Sequence, residues 1–204
     1  MKQKYSQVFL KEKLDKLRKK LGRYNLSQRY YRDTLNNKEH NQINNVFKNF
    51  KNKTVLDVGC HIGYYSVLIS SFADNVIGID VSEKEIKRAN YFKKIIDSKN
   101  IEFKFYSAFD LDEEFMEKNK INAVFFHKMS EPRKNKKLRM KKTWSTDKFR
   151  KVFFLFEKYC DIIVCNDKEK IAFFLEKKGL NIEKFPSYRS NFLYVIKKDR
   201  RKVI

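Results

Sequence analysis

The chain has 204 residues, of which 42% are hydrophobic and 15% aromatic, and this composition excludes a disordered protein. Its 47 lysines and arginines against 25 acidic residues give a net charge of +22. Such a charge favours a polyanionic partner, either nucleic acid, an anionic membrane or a phosphorylated substrate, although compositional bias of the coding sequence is an alternative explanation.

The cysteines and the hydropathy pattern indicate the cellular compartment of the protein. Cys60, Cys160 and Cys165 show no paired spacing, which predicts reduced thiols and neither a disulfide framework nor a zinc site. No apolar run approaches the about 20 residues that span a bilayer. The N-terminus also lacks a signal-like apolar core. We therefore expect a cytoplasmic protein without a bound metal.

Residues 1–50 are predicted to form a basic, helical N-terminal extension. Within it, a leucine stripe with alternating spacings of four and three, flanked by lysines, predicts an amphipathic helix, and it consists of Leu10, Leu14, Leu17 and Leu21. We expect the leucines to pack on the main domain. The alternatives are contact with an RNA backbone or peripheral contact with a membrane surface. A second helix is predicted over residues 38–50.

From residue 54 onward, short apolar strands alternate with helical segments. Strands are predicted at residues 54–58, 75–80, 101–105, 121–126 and 161–165, and helices at about 83–98, 112–118, 144–158 and 168–178. Two further strands, at 182–185 and 191–197, are predicted to form a terminal antiparallel pair. This order predicts an α/β fold with a mostly parallel sheet covered by helices on both faces.

The first strand ends in a glycine-containing turn that runs from Asp57 to Gly63. At Gly59 and Gly63 the missing Cβ lets the backbone approach a ligand, and the helix that follows offers unpaired N–H groups to a carboxylate. About twenty residues later, the second strand ends in Asp80. A carboxylate there can accept hydrogen bonds from the two hydroxyls of a ribose. The turn and the acid together indicate a nucleoside cofactor.

The identity of that cofactor follows from a family resemblance. The turn is neither Gly-x-Gly-x-x-Gly nor a P-loop. It resembles motif I of the class I S-adenosylmethionine-dependent methyltransferases, and the stretch from Gly78 to Ser82 resembles their motif II. The resemblance covers about residues 50–197 and implies a seven-stranded sheet in a domain of residues 51–204. It also implies S-adenosylmethionine as cofactor and methyl transfer as the reaction.

The resemblance also implies the cofactor contacts. Asp57, Gly59, Cys60 and Gly63 correspond to residues that line the methionine part of the cofactor. Asp80 corresponds to the ribose acceptor, with Val81 and Ser82 beside the adenine. After the third strand the family often has an aspartate for the adenine amino group. Ser107 and Ala108 stand there in this chain. Many members have glycine in place of His61, which therefore either contacts cofactor or substrate or points away.

The end of the fourth strand carries the candidate catalytic residue. The chain has neither the Asn/Asp-Pro-Pro-Tyr/Phe motif of enzymes that methylate base amino groups nor the aspartate of the ribose methyltransferase tetrad, because His127 stands there. Cys165 lacks the Pro-Cys partner of the RNA cytosine enzymes. His127 is therefore predicted either to act as a general base or to cap the strand and orient substrate. Alignment alone can also supply much of the acceleration.

A cationic segment, here named the rim loop, follows at residues 133–142. Its seven positive side chains are the predicted substrate-binding residues Arg133, Lys134, Lys136, Lys137, Arg139, Lys141 and Lys142. Such side chains contact phosphates, and Trp144 just beyond is either a stacking platform or part of the core. The alternative for the loop is a solvated charge run. We predict an RNA methyltransferase; the alternatives are a methyltransferase of a small molecule or glycan, possibly phosphorylated, and a noncatalytic module.

Overall fold

A computed structural model describes residues 6–21, 37–126, 147–165, 180–186 and 192–198. The predicted helix at 168–178, the rim loop, His127 and Trp144 lie outside these ranges. The described helices are α1 (Gln7–Leu21), α2 (Asn37–Phe47), α3 (Tyr64–Ile69), α4 (Glu83–Ile96), α5 (Glu113–Lys118) and α6 (Asp147–Tyr159). The strands are β1 (Thr54–Val58), β2 (Asn75–Asp80), β3 (Ile101–Phe105), β4 (Ala123–Phe126), β5 (Ile162–Cys165), β6 (Leu180–Pro186) and β7 (Phe192–Lys198).

The seven strands form one sheet in the order β3-β2-β1-β4-β5-β7-β6. Strands β1 to β5 run parallel, and β7 lies antiparallel to both β5 and β6. The predicted fold and its closing hairpin are confirmed. The strand order reverses between β1 and β4, which places the ligand crevice of such a sheet beyond their carboxyl ends.

The predicted element boundaries differ from the observed ones by only a few residues. The helix predicted over 38–50 ends as an α-helix at Phe47 and continues as a 3₁₀ turn over Lys48–Phe50. Helix α4 ends at Ile96, because Asp97 adopts a left-handed conformation with φ of 52° that stops the helix. Periodicity alone does not mark the first of these ends, since Phe50 continues the apolar spacing beyond Phe47.

Helices cover both faces of the sheet. Val55 belongs to the core shared with α1–α4, whereas its neighbour Leu56 belongs to the core shared with α5 and α6, as strand alternation requires. Helix α6 buries one apolar face against the sheet, and four of its buried residues are Phe149, Val152, Phe153 and Phe156. None of the described helices is long and apolar enough to cross a membrane.

Three leucines of the α1 stripe pack on the domain, as predicted. Leu10, Leu14 and Leu17 are all 0% exposed and lie in the hydrophobic cluster that contains Phe92 of α4. Burial of each leucine stabilises the fold by about 1.5–3 kcal/mol. These leucines are therefore not available for insertion into a membrane. The boundary at residue 50 stays a prediction.

Candidate active site

The turn after β1 is fixed to the end of β2 by backbone hydrogen bonds. The N–H groups of Gly59 and Cys60 both donate to the carbonyl of Ile79, at 2.9 and 3.0 Å, and the N–H of Gly63 donates to the carbonyl of Cys60 at 2.8 Å. Gly59 and Gly63 have φ of +72° and +78°, which glycine adopts without steric cost. The sequence therefore folds into a turn whose position relative to β2 is determined.

The two glycines of the turn have different roles. A Cβ at Gly59 would meet no atom within 4 Å, so this side of the turn is open to a ligand. A Cβ at Gly63 would lie 2.3 Å from the ring of Phe103, which also lies against Gly78. Close approach of a ligand is therefore not the whole reason for a glycine at position 63. Packing of the Phe103 ring also requires a residue without a Cβ there.

The carboxylate of Asp80 is oriented by two backbone groups. The N–H of His61 donates to Oδ2 at 3.0 Å, and the N–H of Ser82 donates to Oδ1 at 2.8 Å. Each carboxylate oxygen has two acceptor positions, so each keeps one for a further donor. Val81 beside it is 48% exposed, a large value for a valine at a strand end. The pair of oxygens can thus receive two hydroxyl groups under an apolar neighbour.

His61 and Ser82 connect the turn to the first turn of α4. Ser82 is the N-cap of α4, and its Oγ accepts from the N–H of Glu85 at 3.3 Å. The Glu85 side chain does not return the bond, because the Ser82 N–H already donates to Asp80. The imidazole of His61 lies toward α4, with Nε2 3.5 Å from Oε2 of Glu85.

Asp57 and Cys60 lie inside the core. Asp57 is 2% exposed and accepts a hydrogen bond of 2.5 Å from the hydroxyl of Ser66. Burial, opposed by the Ser66 hydrogen bond and reinforced by the charge of Asp80, raises the pKa of Asp57 to about 7. Burial likewise raises the pKa of the Cys60 thiol, whose Cβ faces Gly78. Cys60 can therefore contact a ligand in the crevice only through its backbone.

Ser107 and Ala108 follow the strand that neighbours Asp80. Phe105 pairs with Asp80, and the N–H of Tyr106 donates to the Asp80 carbonyl at 3.1 Å. The Oγ of Ser107 accepts from the N–H of Phe109 at 3.1 Å and caps a 3₁₀ turn, which leaves its O–H as a donor. The predicted cofactor residues thus come together from the carboxyl ends of β1, β2 and β3.

Some residues at this edge were not predicted. Phe105 is 61% exposed although it continues the apolar alternation of β3, and Ser66 holds Asp57 from the first turns of α3. The exposure of Phe105 has no signal in the sequence, because alternation indicates only which face a residue shares. Phe126, the last described residue before His127, pairs with Val58. The β4 strand therefore ends beside the glycine turn.

The pKa of Asp57 makes stability depend on pH. Between about pH 4 and pH 7 the folded protein keeps the proton that the unfolded chain has released, so rising pH lowers the free energy of unfolding. Relative to Asp57→Asn, the free energy of unfolding of the wild type should fall by up to about 4 kcal/mol across this range. Urea unfolding from pH 4.5 to 8 measures it, with exposed Asp74→Asn as control. A constant difference between wild type and Asp57→Asn would contradict the burial argument.

The residues at this edge fit S-adenosylmethionine chemically. Gly59 leaves open space where a Cβ would stand, Asp80 keeps an acceptor position on each oxygen for the ribose hydroxyls, and Val81 offers an apolar surface for the adenine. The comparison with known proteins agrees. The sequence model of a family described as "Methyltransferase domain" matches residues 49–191. No curated protein sequence matches the chain.

Solved structures share the fold at low sequence identity. An rRNA methylase from Streptococcus thermophilus superposes with a TM-score of 0.58 at 12% identity, covering 78% of this chain and 96% of that one. A candidate methyltransferase from Streptococcus mutans in complex with SAH has a TM-score of 0.56 at 13% identity, covering 78% and 97%. A ribosomal protein L11 methylase from Lactobacillus delbrueckii subsp. bulgaricus has a TM-score of 0.56 at 13% identity, covering 80% and 79%. The chain therefore belongs to the methyltransferase domain family and is a class I S-adenosylmethionine-dependent methyltransferase.

Proposed function

We propose that this methyltransferase acts on RNA in the cytoplasm. The observation that carries the proposal is the distribution of charge. The chain has a net charge of +22, and seven of its cations are concentrated in the ten residues of the rim loop, between β4 and α6. A basic footprint of this kind binds the phosphate backbone. The rRNA methylase of similar fold indicates that such a sheet can serve an RNA acceptor.

On the cofactor side, we assign the ribose hydroxyls to Asp80 and the adenine to Val81, Ser107 and Ala108. The open side of Gly59 takes the methionine part, together with the backbone of Cys60 and His61. Asp57 and Gly63 support the turn from inside the core. When bound, S-adenosylmethionine supplies a methyl group on a positively charged sulfur. The protein has to hold this group in line with the acceptor atom.

The electrostatics of the cofactor crevice differ from those of the whole chain. Burial is the main cause of the raised pKa of the Cys60 thiol, and the nearby carboxyl groups of Asp57, Asp80 and Glu85 raise this pKa further. Arg88 is paired with Glu85 at 2.6 Å and offsets part of this charge. Of these groups, Asp80 keeps an acceptor position on each oxygen, and its carboxylate attracts a cationic sulfonium. The acidic crevice suits the cofactor, whereas the basic surface outside it suits a polyanionic acceptor.

The rim loop follows β4 in the chain, seven residues after the last residue of that strand. Phe126 at the end of β4 pairs with Val58, which directly precedes Gly59. Consecutive Cα atoms are about 3.8 Å apart, so the chain that leads to the rim loop starts beside the glycine turn. We therefore assign the seven rim-loop cations to the acceptor's phosphates and Trp144 to stacking or to the core.

Removing charge from the rim loop tests the RNA assignment. Changing Lys136, Lys137, Lys141 and Lys142 to glutamine should lower RNA affinity at least tenfold, and it should reduce the slope of log affinity against log salt by about 3. A matched control changes four exposed lysines near the amino ends of the strands: Lys51, Lys94, Lys118 and Lys120. The control should leave the slope nearly unchanged. Equal losses in the two variants would show that only overall charge matters.

We propose His127 as the residue that faces the acceptor atom. It directly follows Phe126 at the carboxyl end of β4, where the reacting groups of such a sheet meet. If it removes a proton from the acceptor, His127→Gln should lower kcat by about 10²- to 10⁴-fold. A decrease in kcat of less than about tenfold, with RNA affinity unchanged, would indicate that His127 only orients the acceptor. Methyl transfer from a sulfonium can proceed through alignment alone.

A second candidate acceptor is a small molecule or glycan, possibly phosphorylated. It is favoured by the absence from the sequence of the acceptor motifs that mark base and ribose methyltransferases. The fold does not decide between acceptors, since it is shared by an rRNA methylase and by a ribosomal protein methylase. Salt dependence separates the two candidates, because a small phosphorylated substrate makes few phosphate contacts and gives a shallow slope.

A further inference from the structure

Three side chains connect α4 to the glycine turn. Nη1 of Arg88 lies 2.6 Å from Oε1 of Glu85, and Oε2 of the same glutamate lies 3.5 Å from Nε2 of His61. Arg88 and Glu85 have side-chain exposures of 11% and 14%, and His61 has 35%. The first contact is a charge-assisted hydrogen bond, and the second is an electrostatic contact longer than a hydrogen bond. Because two of the three groups are largely buried, the chain of contacts is weakly screened by water.

The anchored residue has an unusual backbone conformation. His61 has φ of 52°, a left-handed conformation that glycine adopts freely and that other residues adopt at a steric cost. The histidine at position 61 therefore carries a backbone strain that a glycine would not have. The contact of its imidazole with Glu85 offers a compensating interaction, and it fixes the position of residue 61 against α4.

The same residue orients Asp80 through its backbone. The N–H of His61 donates to Oδ2 of Asp80 at 3.0 Å, so a shift of residue 61 would move one of the two groups that hold the carboxylate. We propose that His61, Glu85 and Arg88 are positioning residues that pre-orient the Asp80 carboxylate for the cofactor's ribose hydroxyls. This inference rests on the proposed role of Asp80 as ribose acceptor.

If the contact of His61 with Glu85 pre-orients Asp80, removing it should lower the affinity only for ligands that carry the ribose hydroxyls. The hydrogen bond from the Ser82 N–H to Asp80 remains when the His61 side-chain contact is removed. The Asp80 carboxylate therefore becomes more mobile but stays at the same site. Ordering one such side chain on binding costs a factor of about three to ten in affinity. A ligand that lacks both ribose hydroxyls makes no hydrogen bonds to the Asp80 carboxylate, so its affinity should not change.

Calorimetric titration with S-adenosylhomocysteine and with its analogue lacking both ribose hydroxyls tests the proposal. His61→Gly and Glu85→Gln should each weaken the first ligand about fivefold and the second less than twofold. The double variant should lose no more than the weaker-binding single variant, since both changes interrupt one chain of contacts. Glu83→Gln is the matched control, because Glu83 is paired with Lys87 on the exposed side of the same helical turn. It should leave both affinities unchanged.

Folding is measured on the same samples. His61→Gly should keep or raise the melting temperature, because glycine relieves the left-handed strain. Equal losses for the two ligands, or no loss for either, would overturn the positioning role while leaving the cofactor assignment intact. A wild-type protein that binds the two ligands equally well would instead overturn the role of Asp80, and with it the network.

Discussion

Replacing Gly63 by alanine is expected to destabilise the protein by about 2–5 kcal/mol, because two costs add. The new Cβ would lie 2.3 Å from the Phe103 ring, and alanine would have to adopt a φ of +78°. Gly59→Ala has only the second cost, about 1 kcal/mol, since no atom lies within 4 Å of its Cβ. That variant should remain folded and yet lose affinity for S-adenosylhomocysteine, because its methyl group enters the crevice. Urea unfolding and calorimetry measure the two effects separately.

The Phe103 ring provides an internal control for this pair. Phe103→Leu removes the atoms that a Cβ at Gly63 would meet, so it should restore part of the stability of Gly63→Ala. It should restore nothing in Gly59→Ala, whose Cβ has no contact with the ring. Residues in contact commonly couple by about 0.5–3 kcal/mol. Additive effects of Gly63→Ala and Phe103→Leu would contradict the steric explanation.

Asp80→Ala is expected to lower the affinity for S-adenosylhomocysteine by at least about 100-fold. A hydrogen bond to a charged group contributes about 1.5–3 kcal/mol, and the two ribose hydroxyls would lose the carboxylate together. The free energy of unfolding should fall only modestly, because the backbone N–H groups of His61 and Ser82 each lose one carboxylate acceptor at a half-buried site. Calorimetric titration gives the affinity, and urea unfolding gives the stability.

Asp74→Ala is the matched control for Asp80→Ala. Asp74 is an exposed aspartate that directly precedes β2, so the same charge is removed at the opposite end of the same strand. Its removal should leave cofactor affinity within about twofold, since charges separated by more than about 10 Å are largely screened at 0.1 M salt. Comparable losses in the two variants would show that net charge, and not the ribose contact, governs binding.

The architecture was predictable because each strand is short, apolar and bounded by turns. The strand β1 and the acid that ends β2 stand at the spacing of a nucleoside site, and the observed sheet brings these ends together. The capping of α4 by Ser82 was equally visible, since an N-cap acts within three residues. Local signals of this kind are recorded in the sequence itself.

Contacts between distant residues were not predictable. The reason for a glycine at position 63 lies in Phe103, forty residues away, and no periodicity connects them. The contact of His61 with Glu85 and the burial of Asp57 against Ser66 depend on how the turn meets α3 and α4. Such contacts arise from packing in three dimensions, which determines pKa values and side-chain orientation.

The most direct test of the proposed function is transfer of a radiolabelled methyl group from S-adenosylmethionine to cell fractions. Total RNA and an extract of small molecules and glycans are prepared from a strain that lacks the gene, and each is incubated with wild type or with Asp80→Ala. We predict label in RNA with the wild type and its loss in Asp80→Ala. Label confined to the small-molecule or glycan fraction would contradict an RNA acceptor and assign the rim-loop cations to a smaller anionic substrate.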